Sequence, residues 1–82
     1  MSDAGAARLQ QIFAAVFQLP AATPAKEIEA MEQETNERWD SIAQVTLVAA
    51  LEEEFGLSLQ PEEMLALTSY QAFANMLEQK GV

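Results

Sequence analysis

The chain holds neither histidine nor cysteine among its 82 residues, so it lacks the two side chains that most readily activate a nucleophile or ligate a transition metal near neutral pH. Hydroxyls and carboxylates remain for chemistry. Among the hydroxyls Ser41 stands apart, because it follows Asp40 where a charged, polar lead-in gives way to a run compatible with helix as far as Phe55. Gly56 ends that run. Asp40 suits the N-cap, since its carboxylate can accept from the unpaired N–H groups of the first turn, and this makes Ser41 the first helical residue. A hydroxyl there looks out from the positive end of a helix, where free amides and the helix dipole favour an attached anionic group. Nothing of the chain's own is placed to activate it. An autonomous hydrolase or transferase needs a nucleophile beside a base, and these carboxylates are mostly exposed in pattern. The expectation is a non-catalytic protein. The cluster Glu29, Glu32, Glu34 and Glu37 has no companion histidine and no calcium-loop spacing, which makes it a solvated acidic loop rather than a metal site.

Positioning Ser41 falls to helices packed around one core. Half of the residues are hydrophobic, which at this length makes one small domain over 1–82. Without cysteine no disulfide or thiolate metal site can hold it, so helix packing must do so alone. Residues 1–5 should fray. Over 6–17, Leu9, Ile12, Phe13, Val16 and Phe17 recur at intervals of three and four, the pattern of a helix with one buried face, and Pro20 closes the segment. Residues 19–39 are ambiguous. Thr23 and Pro24 can cap and start one or two turns of helix over 24–32, or the stretch is an extended loop, with Ile28 and Met31 as apolar anchors either way. Trp39 packs that loop against the core beside the start of the 41–55 helix. Pro61 then opens a short helix over 61–66 with Met64, Leu65 and Leu67 inward. Thr68 and Gln71 form a capping box, with a Leu67 and Ala72 staple, for a last helix over 69–79. Tyr70, Phe73, Ala74 and Leu77 of that helix face the core, Lys80 complements its negative end and Gly81 stops it.

The 41–55 helix carries two apolar stripes where a surface helix needs one. Leu47, Leu51 and Phe55, flanked by Val48, form the core stripe. Ile42, Val45 and Ala49 form a second, bordered by Thr46 and Glu53. Burial on two sides of a bundle would explain the second stripe without any function. Exposure would make it a docking surface, apolar in the middle and acidic at one edge, beside Ser41.

Asp40-Ser41-Ile42, followed by an apolar helix ending Ala50-Leu51-Glu52-Glu53-Glu54-Phe55-Gly56, resembles the acyl carrier proteins, whose Asp-Ser-Leu serine carries phosphopantetheine. The resemblance covers about residues 39–77 and includes the spacing to Pro61-Glu62-Glu63 and to Leu67-Thr68-Ser69-Tyr70-Gln71. The tripeptide alone carries little; the long ungapped surround makes the match specific. It implies an all-α fold, a four-helix acyl-carrier-like bundle with a long loop between the first and second helices and a short third helix. It also implies phosphopantetheine on Ser41, taken from coenzyme A in a separate phosphopantetheinyl transferase that supplies base and magnesium. Acyl groups would ride the arm as thioesters in a lipid, fatty acid, polyketide or other specialised biosynthetic pathway. The further partners implied are an acyl-loading ligase or acyltransferase and ketosynthase-type enzymes with basic docking patches, meeting Asp40, Ile42, Val45, Thr46, Ala49, Glu52 and Glu53. An acyl chain could tuck between helices against Val48, Leu65 and Phe73, with room left by Ala49, Ala50 and Ala66. Two departures mark this chain. Trp39 replaces the glycine or alanine that often precedes Asp-Ser in the fatty-acid carriers, and Ala43 and Thr46 stand where those carriers usually place acids. Acidic recognition is thereby left to Glu52, Glu53 and Glu54.

Thirteen acids against four bases give a formal net charge of −9, which repels a phosphate backbone and an anionic membrane surface. Nucleic acid and membrane partners are not expected. No segment approaches the roughly 20 apolar residues that span a bilayer, and the amino terminus lacks a basic stretch before an apolar one. The expectation is a cytoplasmic monomer. Beside the acyl carrier stand two alternatives: an aminoacyl or peptidyl carrier using the same serine, and an acidic helical adaptor that never receives an arm.

Overall fold

Five α-helices build the fold in a computed structural model that describes residues 3–81: α1 (Asp3–Val16), α2 (Ala25–Glu29), α3 (Ser41–Phe55), α4 (Pro61–Ala66) and α5 (Tyr70–Gln79). Among the described residues there is no strand, only an isolated antiparallel bridge between Glu32 and Ser69. The fold is all-α, but the expected count of four and the expected long loop both need correction. The connection from α1 to α3 is structured. It holds α2, where Ile28 is buried, and a single 3-10 turn over Gln33–Thr35. The bridge then ties it to α5: the Gln33 N–H donates to the Thr68 carbonyl at 2.8 Å and the Tyr70 N–H to the Met31 carbonyl at 2.9 Å. Met31 is half-buried, so both expected anchors do face inward.

At α1, Leu9 and Phe13 are buried and Ile12 and Val16 are half-buried, as the three-and-four spacing predicts. The helix begins at Asp3 rather than near residue 6, so residues 3–5 are helical and Gly5 is buried instead of frayed. An acid in the first turn favours that earlier start. Residues 1 and 2 lie outside the described residues. Pro20 is not the terminator. Gln18 turns the chain at φ 52°, and the Leu19 N–H reaches back to the Ala14 carbonyl at 2.9 Å, a left-handed closure that satisfies carbonyls of the last turn. Gly56, at φ 65°, closes α3 in the same way, with the Leu57 N–H on the Glu52 carbonyl at 3.1 Å.

At the centre of the core Phe13 meets Phe17, Trp39, Tyr70 and Phe73, with ring centroids 5.2 to 6.0 Å apart. Three of these contacts are edge-to-face, the arrangement that ring quadrupoles favour. From α3, Leu47, Val48 and Leu51 pack against this cluster, and α5 adds Leu77 and Met76, the latter not foreseen from its position. The inward residues here are Met64 of α4 and Leu67, which caps its end, three apart. Leu65 was expected inward but is 82 % exposed. In so short a helix one face serves the core, and position 65 turns roughly 100° away from 64. The cap of α5 also differs by one residue. Ser69, not Thr68, accepts from the Ala72 N–H at 3.0 Å, and Gln71 donates across to the Glu29 carbonyl at 3.3 Å instead of folding back. The capping interaction expected there occurs at α4, where a Glu63 carboxylate oxygen accepts from the Gln60 N–H at 3.0 Å. Lys80 reaches Glu63 at 3.1 Å and joins the end of α5 to α4.

Burial raises the Tyr70 phenol above its ordinary pKa; a hydrogen bond with Gln10 opposes this and the charge of Glu29 adds to it. A phenol whose folded pKa is raised contributes stability below its unfolded pKa of about 10, and that contribution is lost as pH rises beyond it. Tyr70→Phe should therefore flatten the alkaline fall in unfolding midpoint, measured as the difference between wild type and variant above about pH 10. Equal slopes for both proteins would show that the phenol has no part in it.

Candidate functional site

The start of α3 is built by Asp40. Its backbone is extended, at φ −95° and ψ −172°, and its carboxylate accepts from the Ala43 N–H at 2.9 Å while its carbonyl accepts from the Gln44 N–H at 2.9 Å. Ser41 is the first helical residue and is exposed. Asp40 takes one of the first-turn amides, and those of Ser41 and Ile42 keep no partner among the described residues. The hydroxyl thus stands in the open next to free donors, a setting that suits an attached phosphate group.

The preceding residue faces the other way. Trp39 is 2 % exposed, with its ring 5.4 Å from Phe13, 5.6 Å from Phe17 and 6.2 Å from Phe73. Its indole N–H donates to Gln44 Oε1 at 2.6 Å, and Gln44 Nε2 donates to the carbonyls of Met64 at 3.1 Å and Leu67 at 3.0 Å. One amide therefore joins the residue before Asp40, the first turn of α3 and the end of α4. Both N–H groups of that amide are used. Gln44 was not singled out from the sequence, because a lone glutamine between two apolar stripes reads as a solvated border. Its five-residue offset from Trp39 is too weak a signal to have found it.

Beside Ser41 lies a cleft of about 320 Å³ between α3 and α4, lined by Gln33, Ser41, Gln44, Val45, Val48, Met64 and Leu65. Of the residues expected to line a cargo site, Val48 and Leu65 are there. Phe73 is not, being fully buried in the aromatic core, and Ala66 opens on a separate depression with Leu67, Ala72 and Met76. Ala49 is exposed and Ala50 half-buried, and neither lines the cleft. Gln33 lines the cleft and also a second, more polar depression with Glu32, Glu34, Thr68 and Ser69.

The second stripe of α3 is exposed. Ile42 is 77 % and Val45 69 % exposed, Thr46 and Ala49 are also at the surface, and Leu65 of α4 joins them. Thr46 Oγ1 donates back to the Ile42 carbonyl at 2.9 Å. The acids at the far end of α3 are not equivalent. Glu52 is half-buried and accepts from the Leu59 N–H at 2.8 Å, holding the turn after the helix. Glu54 pairs with Arg8 at 2.8 Å, and the Arg8 guanidinium lies 4.5 Å over the Phe55 ring and also donates to the Glu54 carbonyl. Glu53 is exposed and has no ion-pair partner among the described residues, and the same holds for Arg38 near the serine end. Among the described residues no group of three or more acids, histidines or cysteines is placed to hold a metal ion, and no helix is long and apolar enough to cross a membrane.

A family model described as the phosphopantetheine attachment site matches residues 7–77. No curated protein and no solved structure matches the chain.

Gln44→Ala should leave the indole N–H and two carbonyls without partners, at a cost of about 1–3 kcal/mol. In a domain of this size that lowers the thermal midpoint by roughly 4–8 °C per kcal/mol, which a circular dichroism melt reads directly. An unchanged midpoint would show that the amide does not hold the two helices together.

Proposed function

The chain belongs to the family of phosphopantetheine-bearing carrier domains, and we propose that Ser41 bears the arm and that the arm carries acyl groups as thioesters. Carrier domains receive covalent phosphopantetheine from a phosphopantetheinyl transferase, work with partner enzymes and are generally not catalysts themselves. This membership sets aside the adaptor that never receives an arm. The observation that carries the assignment to Ser41 is its place inside the matched span, exposed at the first position of α3 with unpaired amides beside it.

In the attachment step the Ser41 hydroxyl attacks a phosphorus of the coenzyme A pyrophosphate. A phosphoester bond forms to Oγ, the pyrophosphate bond breaks with departure of the adenosine nucleotide, and the hydroxyl proton passes to a base on the transferase. This chain's part is to present the oxygen and to receive the negative charge, which the α3 amides and dipole favour. When bound, the group supplies a flexible arm ending in a thiol. The docking face proposed for the partners is Ile42, Val45 and Leu65 in the middle, Thr46 and Ala49 alongside, Asp40 at the serine end and Glu53 at the other. Glu52 contributes there mainly by shaping the turn. Ketosynthase-type enzymes and acyl-loading ligases or acyltransferases with basic patches fit this face, and the cytoplasm, where coenzyme A and the transferase meet, fits the setting.

Incubation with coenzyme A and a broad-specificity transferase should add one phosphopantetheine to the intact mass. Ser41→Ala should abolish the gain while keeping the helical spectrum; a gain that survives the substitution would place the arm elsewhere. Offering the loaded protein acyl and amino acid substrates with candidate ligases then tells acyl from aminoacyl carriage. Glu53→Lys should lower kcat/KM of a ketosynthase-type partner by roughly three- to tenfold at low salt with helicity unchanged, as reversal of a rim charge does. Unaltered turnover with several partners would remove Glu53 from the docking face.

A further inference from the structure

The cleft beside Ser41 and the aromatic core lie back to back, and Gln44 stands between them. On one side its side chain lines the cleft with Val45, Val48 and Met64. On the other it accepts from the Trp39 indole, whose ring rests on Phe13, Phe17 and Phe73. Across the gap its amide holds the Met64 and Leu67 carbonyls at the end of α4. A chain entering the core from Ser41 has two routes. It must part α4 from α3, which breaks both bonds from Nε2, or lift Trp39 off the rings, which breaks the bond to Oε1. Either leaves polar groups unpaired in a part-buried site. Nor is there slack beyond, since Phe13, Phe73 and Leu47 are fully buried in contact with their neighbours, and a close-packed interior admits new atoms only by displacement.

We propose that Gln44 bars an acyl chain on the arm from the core, by shutting the path from the cleft. An acyl group reaches no further than the cleft of about 320 Å³ against Val45, Val48, Met64 and Leu65, and a long alkyl tail stays outside the fold. The inference rests on Ser41 as the attachment residue.

The test loads the wild-type protein from acetyl-, octanoyl- and hexadecanoyl-coenzyme A with a broad-specificity transferase, confirms each product by intact mass, and compares thermal midpoints and Trp39 emission. Trp39 is the sole tryptophan, so its emission reports on the wall of the core. The expected result is one midpoint and one emission maximum across the three. A midpoint that climbs with chain length, together with an emission shift, would overturn the proposal. Gln44→Ala should introduce both dependences. If Gln44→Ala does not fold, the wild-type series still decides. A folded Gln44→Ala that stays independent of chain length would remove Gln44 as the barrier. Loss of loading altogether is a different outcome: it removes Ser41 as the attachment residue, and this inference with it.

Discussion

The carboxamide of Gln44 is the point on which the rest of the structure depends. It accepts from an indole that belongs to the core and donates to two carbonyls that end α4, so three parts of the chain are fixed relative to one another by a single side chain. Each bond is worth only about 1 kcal/mol net, but leaving its partners unpaired costs more than making it returns. That asymmetry keeps the arrangement closed. Trp39 supplies the other half, because a ring 2 % exposed among Phe13, Phe17 and Phe73 cannot move without opening the core. Asp40 and Ser41 follow directly after it, so the hydroxyl is held out by an anchor one residue before its cap. A carrier needs this combination of a fixed base and an open attachment point, since partners must find the same geometry each time while the arm alone moves.

Charge is arranged with similar economy. The chain carries a formal net charge of −9, yet the acids on α3 have divided roles. Glu52 holds the turn at Leu59, Glu54 pairs with Arg8 against Phe55, and Glu53 alone projects with no partner among the described residues. The serine end has Arg38 exposed and Ala43 and Thr46 where further acids could have stood. A partner that approaches this face therefore meets an apolar centre of Ile42, Val45 and Leu65 with sparse charge at its edges. Specificity on such a surface rests more on shape than on summed charge.

The start of α3 was legible in the sequence because its signals are local: an aspartate before a serine, an apolar run and a closing glycine each act within a turn of their own position. The two stripes of α3 were legible too, with Leu47 and Leu51 on the covered one, though not whether the second is covered as well, since that depends on where α4 lies. Leu65 was misjudged for the same reason. Apolar type suggests burial, but a helix of six residues offers the core one face, and Met64 and Leu67 take it. The cap of α5 moved from Thr68 to Ser69 because the bridge to Glu32 and the bonds from Gln33 and to Met31 fix the backbone there, a tertiary constraint that local capping rules do not contain. Gln44 was hidden most completely. Its role exists only once α4 has been brought within 3.1 Å of it, and nothing in the residue's type distinguishes that position from a solvated one.

The central claim is that Trp39 and Gln44 hold the base of α3 shut while Ser41 remains free, and hydrogen exchange of the Trp39 indole N–H tests it most directly. The account predicts exchange as slow as that of the most protected core amides, both before and after an arm is attached to Ser41. Rapid exchange of that proton in the native protein, or its release on attachment, would contradict it.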